Sequence, residues 1–353
     1  MENDHFRAMN TTIVTQGLPV RWRAQARNWF AFAEAQLSRF LPDSELSRLN
    51  RAEGRPFLAT PLLYQVLAEA DRYHRETGGL FSPYLGQEIE RLGYDKSFEQ
   101  LKRVEEEAGM VSGAGMVSGA TGEGAGAVAS EDPGAVAGAA ADTDSGDSRG
   151  TLQHPRSVAP AAELDPGSRT IRLRSGTAVD LGGIAKGWTA RHLAKLARQD
   201  GVRTGAIGAG GDLILWGCPP DGWQIGVADP WHPERDATGL TLRRGAGIAT
   251  SSAVKRRWQD RDGQVRHHIV DPRTGRPAHT DLAQVTMIAP DAVMAEVYAK
   301  CALLLGADKA PAWLEKESPR CAMIGVLNDG SLVYGGDLET YVMEERVSYE
   351  RIG

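Results

Sequence analysis

One junction limits what this chain can fold into more than any other stretch: an extended segment that turns through two glycines into a helix. Thr170-Ile-Arg-Leu-Arg174 alternates apolar and polar residues, the period of a strand. Residues 177–181 read as a second short strand. Beyond Gly182-Gly183, the residues Ile184, Trp188, His192, Leu193 and Leu196 recur at helical spacing. A glycine turn at a helix N-terminus brings backbone N–H groups close to an anion, and the helix dipole favours negative charge there. Asp180 ends the extended segment and Lys186 lies in the first helical turn. An acid, two glycines and a lysine so close together point to a nucleotide phosphate or a hydroxyl-rich ligand. The alternative is a turn that only packs a helix on a sheet. The stretch is neither a P-loop, whose Lys follows its Gly, nor the G-x-G-x-x-G dinucleotide fingerprint.

Composition narrows the partners. The 353 residues suffice for one large domain or two ordinary ones. A net charge of −6 does not suggest a nucleic-acid partner. Cys218, Cys301 and Cys321 are far apart and cannot all pair, which fits a reducing compartment. The polar start Met1-Glu-Asn-Asp-His5 shows no signal peptide, and no apolar run is long enough for a membrane span, so a cytoplasmic protein is expected.

Along the chain, residues 6–17 read as an opening strand. Residues 22–40 read as a helix whose stripe of Trp22, Ala26, Trp29, Phe30, Ala33 and Leu37 packs into the core. Ser44 caps a short turn, and Thr60-Pro61 starts a second helix running to about residue 74. Composition then shifts. Gly109-Met-Val-Ser-Gly-Ala114 is repeated as residues 115–120, and Gly, Ala, Ser and acidic residues dominate to residue 150, with no aromatic. Such a run cannot bury enough apolar surface to offset its ordering entropy, and it reads as a disordered insertion born of local duplication. Further on, Asp271-Pro-Arg-Thr-Gly275 is a turn that presents the end of a strand over 267–270, where a histidine serves as acid, base, ligand or plain structure. A helix over 292–305 carries Glu296 and Lys300 at i and i+4, which on spacing alone is an ordinary exposed ion pair. Ser252, His268 and Asp271 would make a hydrolase triad, but no G-x-S-x-G elbow is present.

Five stretches taken together resemble the ApbE-type flavin transferases: Ala8-Met9-Asn10-Thr11; Ser38-Arg-Phe40 with Asp43-Ser-Glu-Leu-Ser-Arg-Leu-Asn50; Gly79-Leu-Phe-Ser-Pro83; Asp180-Leu-Gly-Gly-Ile-Ala-Lys-Gly187; and Thr250-Ser251 with His268-Ile-Val-Asp-Pro-Arg-Thr-Gly275. The resemblance spans nearly all the chain outside the insertion. It implies a mixed α/β (α+β) fold of two interlocked lobes with the FAD site between them, built from residues 1–107 and 151–353 and interrupted by 108–150. It implies FMN transfer from FAD to a Thr or Ser hydroxyl of an acceptor protein, with release of AMP and with Mg²⁺ as the metal. Hydrolysis of FAD, or flavin binding without metal-dependent chemistry, are the alternatives. Carried over by position, the FAD contacts are Met9, Phe40, Leu80, Phe81, Ser82, Asp180, Lys186 and Val270. His268 is the candidate acid or base. The family's metal takes a carbonyl at the place of Gly183, and an Asp and a Thr at the places of Glu296 and Lys300. Here the chain departs from the pattern: a protonated Lys300 cannot ligate Mg²⁺, and its ammonium can stand in the cation's place. Asn10 for a usual Gly, Ser82 for a common Asp, and Thr250-Ser-Ser252 for Thr-Ser-Gly are smaller departures.

Overall fold

The opening stretch is a hairpin rather than one strand. β1 (Asn3–Ala8) and β2 (Thr11–Gln16) pair antiparallel, with Ala8 opposite Thr11, so only Met9 and Asn10 connect them. Both sit at positive φ, 51° and 55°, as a type I′ turn demands of its two central residues. Neither is glycine, so the sequence carries little sign of the turn. The computed structural model describes residues 3–98, 100–101, 160–232, 234–259 and 265–343. The expected disordered insertion at 108–150 lies outside the described residues.

The first ordered stretch continues with α1 (Val20–Leu37), α2 (Glu45–Asn50), β3 (Phe57–Leu58), α3 (Pro61–Glu76) and α4 (Gly86–Arg91). The second opens with β4 (Ala162–Asp165), β5 (Thr170–Leu173), α5 (Ala185–Gln199), β6 (Gly205–Ala209), β7 (Asp212–Trp216), β8 (Trp223–Ala228), β9 (Asp236–Leu242) and β10 (Gly247–Ser252). The short strands β11 (Arg257–Gln259), β12 (Val265–His267), β13 (Val270–Asp271) and β14 (Arg276–Pro277) follow. Last come β15 (Leu282–Ala289), α6 (Ala292–Glu317), β16 (Ala322–Leu327) and β17 (Leu332–Gly336).

The caps form as the sequence implies. The Ser44 hydroxyl accepts from the Ser47 N–H, and the Thr60 hydroxyl from the Leu63 N–H with Pro61 in the first turn. On α1 the residues Trp22, Ala26, Phe30, Ala33 and Leu37 are buried. Trp29, half-buried, donates its indole N–H to the Thr189 carbonyl.

An antiparallel sheet in the order β1-β2-β6-β7-β10-β15-β16-β17 forms the centre. Both faces are covered, so β15 is buried at every position instead of alternating. Val285, Met287 and Ala289 belong to the core shared with α6, whereas Ile288 packs with Trp223, Val227, Leu240 and Leu242 of the β8–β9 hairpin. The two ordered stretches interlock through strand pairing: β2 lies against β6, Val14 opposite Gly208, and β3 lies against β5, Phe57 opposite Ile171. Both stretches therefore belong to one compact unit of mixed α/β class, the class the sequence implies.

Two elements differ from the sequence reading. Residues 177–181 form no strand. Their backbone groups are satisfied by loops and a side chain instead: the Asn50 amide bonds both the N–H and the carbonyl of Val179, the Asp180 N–H donates to the Pro83 carbonyl, and the Ala178 carbonyl accepts from the Gly86 N–H. The helix expected to end near residue 305 breaks at Gly306 (φ 80°, ψ 172°) and resumes to Glu317. Asp281 caps the restart by accepting from the Ala307 N–H.

Candidate functional site

One open cleft gathers loops from both ordered stretches. Its walls come from the β1–β2 turn (Met9, Asn10), the end of α1 and the residues after it (Arg39, Phe40), the loop after α3 (Leu80, Phe81, Ser82), residues 180–186, residues 268–272, and one side of α6 (Lys300, Leu304). Its walls are chemically mixed. Met9, Phe40, Leu80, Phe81, Leu85, Ile89, Tyr94 and Leu304 are apolar, and Arg39, Lys186, Arg256 and Lys300 bring positive charge among them. A ligand with a flat apolar portion and an anionic portion fits such walls.

Gly182, Gly183, Ala185 and Lys186 at the start of α5 line the cleft. Ile184 offers no capping side chain; the Ala185 N–H donates to the Leu181 carbonyl, and the Gly187 N–H of the first turn is taken by the Glu296 carboxylate. Asp180 folds back on the turn. One carboxylate oxygen accepts from the Gly182 N–H at 2.6 Å, and the other meets Arg39 Nε at 2.5 Å. The Arg39 guanidinium stacks over Phe40 (4.2 Å) and Tyr94 (5.0 Å). Its buried Nη2 has no hydrogen-bond partner among the described residues.

Beneath the turn lies a buried charge cluster. Lys186 Nζ is 2.6 Å from Glu296 Oε1 and 3.0 Å from Asp212 Oδ2. The second Glu296 oxygen accepts from the Gly187 N–H at 2.9 Å. Lys300 Nζ donates to the Glu296 carbonyl at 3.2 Å and stands 3.7 Å from Glu296 Oε1. Glu296 is 1% exposed, so the exposed i,i+4 pair read from spacing is corrected: the pair is interior, and Lys300 points into the cleft. Burial raises the Asp212 carboxyl. For Glu296 burial works upward too, but the ammonium groups of Lys186 and Lys300 and the bonds from Lys186 and Gly187 outweigh it, and the carboxyl is held below its ordinary range. Burial alone would lower Lys186; Asp212 and Glu296 reverse that and raise it. For Lys300 burial prevails and the ammonium is lowered, with Glu296 opposing.

His268 lines the cleft, and its buried Nδ1 has no partner among the described residues. Burial, then the charges of Arg256 and Lys300, hold it well below 6.5, so the imidazole is neutral at neutral pH. The strand read over 267–270 is broken here, between β12 and β13. Neighbouring His267 is turned to the backbone, with Nε2 3.0 Å from the Ala278 carbonyl. The Asp271 turn forms as read, its carbonyl accepting from the Thr274 and Gly275 N–H groups. No Ser–His–Asp triad forms from these residues. Ser252 donates to the Ala283 carbonyl, and the Asp271 carboxylate holds Arg273.

The cleft thus brings together Met9, Phe40, Leu80, Phe81, Ser82, Asp180, Gly183, Lys186, His268, Val270 and Lys300. Glu296 stays below the surface, beneath Lys186. Arg39, Asp212 and Arg256 were not singled out from sequence. Arg39 lay within the quoted Ser38-Arg-Phe40, and Asp212 directly follows the Gly210-Gly211 turn, but neither carries a motif of its own. Of the five non-glycine residues with positive φ among the described residues, Met9, Asn10 and Arg256 line the cleft, while Glu53 and Arg169 do not. Such backbone strain collects at functional sites.

Comparisons with known proteins bear on the family and the fold. The family model described as ApbE family matches residues 8–324. An FAD:protein FMN transferase of Escherichia coli strain K12 is 33% identical over 148 residues, 41% of this chain and 42% of the relative. One from Treponema pallidum strain Nichols is 27% identical over 298 residues, 80% of this chain and 71% of the relative. The match thus spans less than half the Escherichia coli relative's length. Among solved structures, the ApbE protein from Thermotoga maritima superposes with a TM-score of 0.73 at 21% identity, covering 97% of this chain and 99% of that one. The apo flavinyl transferase ApbE of Pseudomonas stutzeri gives 0.67 at 18%, covering 96% and 94%. With a family model over most of its length and the same fold at near-complete coverage, the chain belongs to the ApbE family.

Proposed function

We propose that this chain is an FAD:protein FMN transferase, which moves FMN from FAD to a Thr or Ser hydroxyl of an acceptor protein and releases AMP. The observation that carries the reading is the mixed lining of one cleft. Apolar and aromatic side chains suited to a flavin ring stand there with the Gly182-Gly183 turn and the ammonium groups of Lys186 and Lys300, suited to a pyrophosphate. In this reading Met9, Phe40, Leu80, Phe81, Ser82, Asp180 and Val270 cradle the flavin nucleotide, and Lys186 steadies its phosphates. His268 takes the proton of the acceptor hydroxyl. That oxygen bonds to the phosphorus on the FMN side, the bridging P–O bond breaks, and AMP leaves with the bridging oxygen. A neutral imidazole is the form this step needs, and donors fixed around the pyrophosphate stabilise the charge that develops.

Mg²⁺ is the metal the family resemblance implies, through Gly183 and the positions of Glu296 and Lys300. The donor set here does not fit it. Glu296 already bonds Lys186 and the Gly187 N–H, and Lys300, at the other side-chain position, is itself a cation with no lone pair to offer. That feature favours a second reading, a flavin-binding protein without transfer; FAD hydrolysis is a third. Three free cysteines fit a reducing compartment such as the cytoplasm, and no helix among the described residues is long and apolar enough to cross a membrane. The test is acceptor-dependent AMP release. Purified protein incubated with FAD and proteins from the source organism should release AMP, and His268→Gln should lose at least about a hundredfold of that rate. AMP released equally without the added proteins would favour FAD hydrolysis, and FAD that binds and stays intact with them would favour the second reading.

A further inference from the structure

We infer that Lys300 takes the place of a divalent cation, so that this chain binds the FAD pyrophosphate without metal. The inference rests on reading the cleft as the FAD site.

The geometry around Gly183 is the first observation. A Cβ built on Gly183 would lie 3.1 Å from Lys300 Cε and 3.5 Å from Cδ. The lysine stem therefore lies against the residue whose carbonyl the resemblance gives to the metal. The second observation is occupancy. Glu296, the one carboxylate at a metal position, spends one oxygen on Lys186 at 2.6 Å and the other on the Gly187 N–H at 2.9 Å. A metal on either oxygen would share it with Lys186 or the Gly187 N–H and stand beside the Lys186 ammonium, which is only 14% exposed. The third is charge. Lys186 and Lys300 already set two ammonium groups beside Glu296. A divalent ion beside two ammonium groups in a partly dry cleft would be repelled.

The two lysines also divide the work. Lys186 is held between two carboxylates. Lys300 has one close partner, the Glu296 carbonyl at 3.2 Å, and a looser contact to the carboxylate at 3.7 Å. An ammonium has three donors, so Lys300 retains capacity for phosphate oxygens at the cleft wall.

The experiment is an FAD titration of the full-length protein by flavin fluorescence, in EDTA and in excess MgCl2, with AMP release followed in parallel. Wild-type affinity should agree between the two buffers to within about twofold, because the cation is covalently present. Lys300→Thr should bind FAD at least about tenfold more weakly in EDTA and regain affinity with MgCl2, since a hydroxyl then stands where the ammonium was. Melting curves of both proteins check that the variant is folded. Wild-type protein that loses FAD affinity in EDTA and regains it with MgCl2 would overturn the inference, and this comparison needs no variant. So would a folded Lys300→Thr that binds FAD in EDTA as tightly as wild type. Metal-independent FAD binding with no AMP release in either buffer, even after acceptor proteins from the source organism are added, would uphold the role of Lys300 and sink the transferase reading. No FAD binding in either buffer would overturn both.

Discussion

Asp180 shows how one side chain ties the cleft together. It closes the glycine turn through the Gly182 N–H and neutralises Arg39, whose side chain is only 5% exposed. Asp180→Ala leaves that guanidinium buried and unpaired, a loss on the order of 3 kcal/mol for a broken buried pair. We expect a lower urea midpoint, and FAD affinity weakened by at least about tenfold as the turn loosens. An unchanged midpoint and affinity would show that neither contact matters. Asp180 and Lys186 were legible in the sequence because acid, glycines and lysine lie within seven residues. Arg39, Asp212 and Arg256 were not, because their roles arise from contacts between distant segments. The direction of Lys300 was not legible either: spacing puts it on the same helix face as Glu296, but only packing shows that this face is interior.

At the scale of elements, Gly187 fixes how α5 meets α6. A Cβ there would lie 2.9 Å from Glu296 Oε2 and 3.1 Å from the Ala292 carbonyl. Gly187→Ala should therefore push the two helices apart, costing about 2 kcal/mol as overpacking does. It should weaken FAD binding as well, because the same shift disturbs the bond that seats Glu296 under Lys186. Calorimetric melting beside an FAD titration checks both; a variant as stable as wild type would mean the helices yield without cost. Elements with local signals were readable: the Ser44 and Thr60 caps, the α1 stripe, the Asp271 turn. The β1–β2 hairpin was not, because its turn has no glycine to announce positive φ. The false strand at 177–181 has the composition of a strand, but Asn50, Pro83 and Gly86 satisfy its backbone. Periodicity cannot foresee bonding partners that lie far off in the chain.

For the whole molecule, the pairing of β2 with β6 joins the two ordered stretches in one sheet, and the cleft takes walls from both. The mixed α/β class came with the family resemblance of the five motif stretches, whereas the strand order was not legible, because non-local pairing leaves no local trace. The account's central claim is that this cleft transfers FMN to protein. The most direct measurement is tandem mass spectrometry of proteins from the source organism after incubation with the enzyme and FAD. The account predicts a Thr- or Ser-containing peptide heavier by one FMN linked through phosphate, formed in step with AMP and lost with His268→Gln. AMP and free FMN with no modified peptide, or FAD left intact, would contradict it.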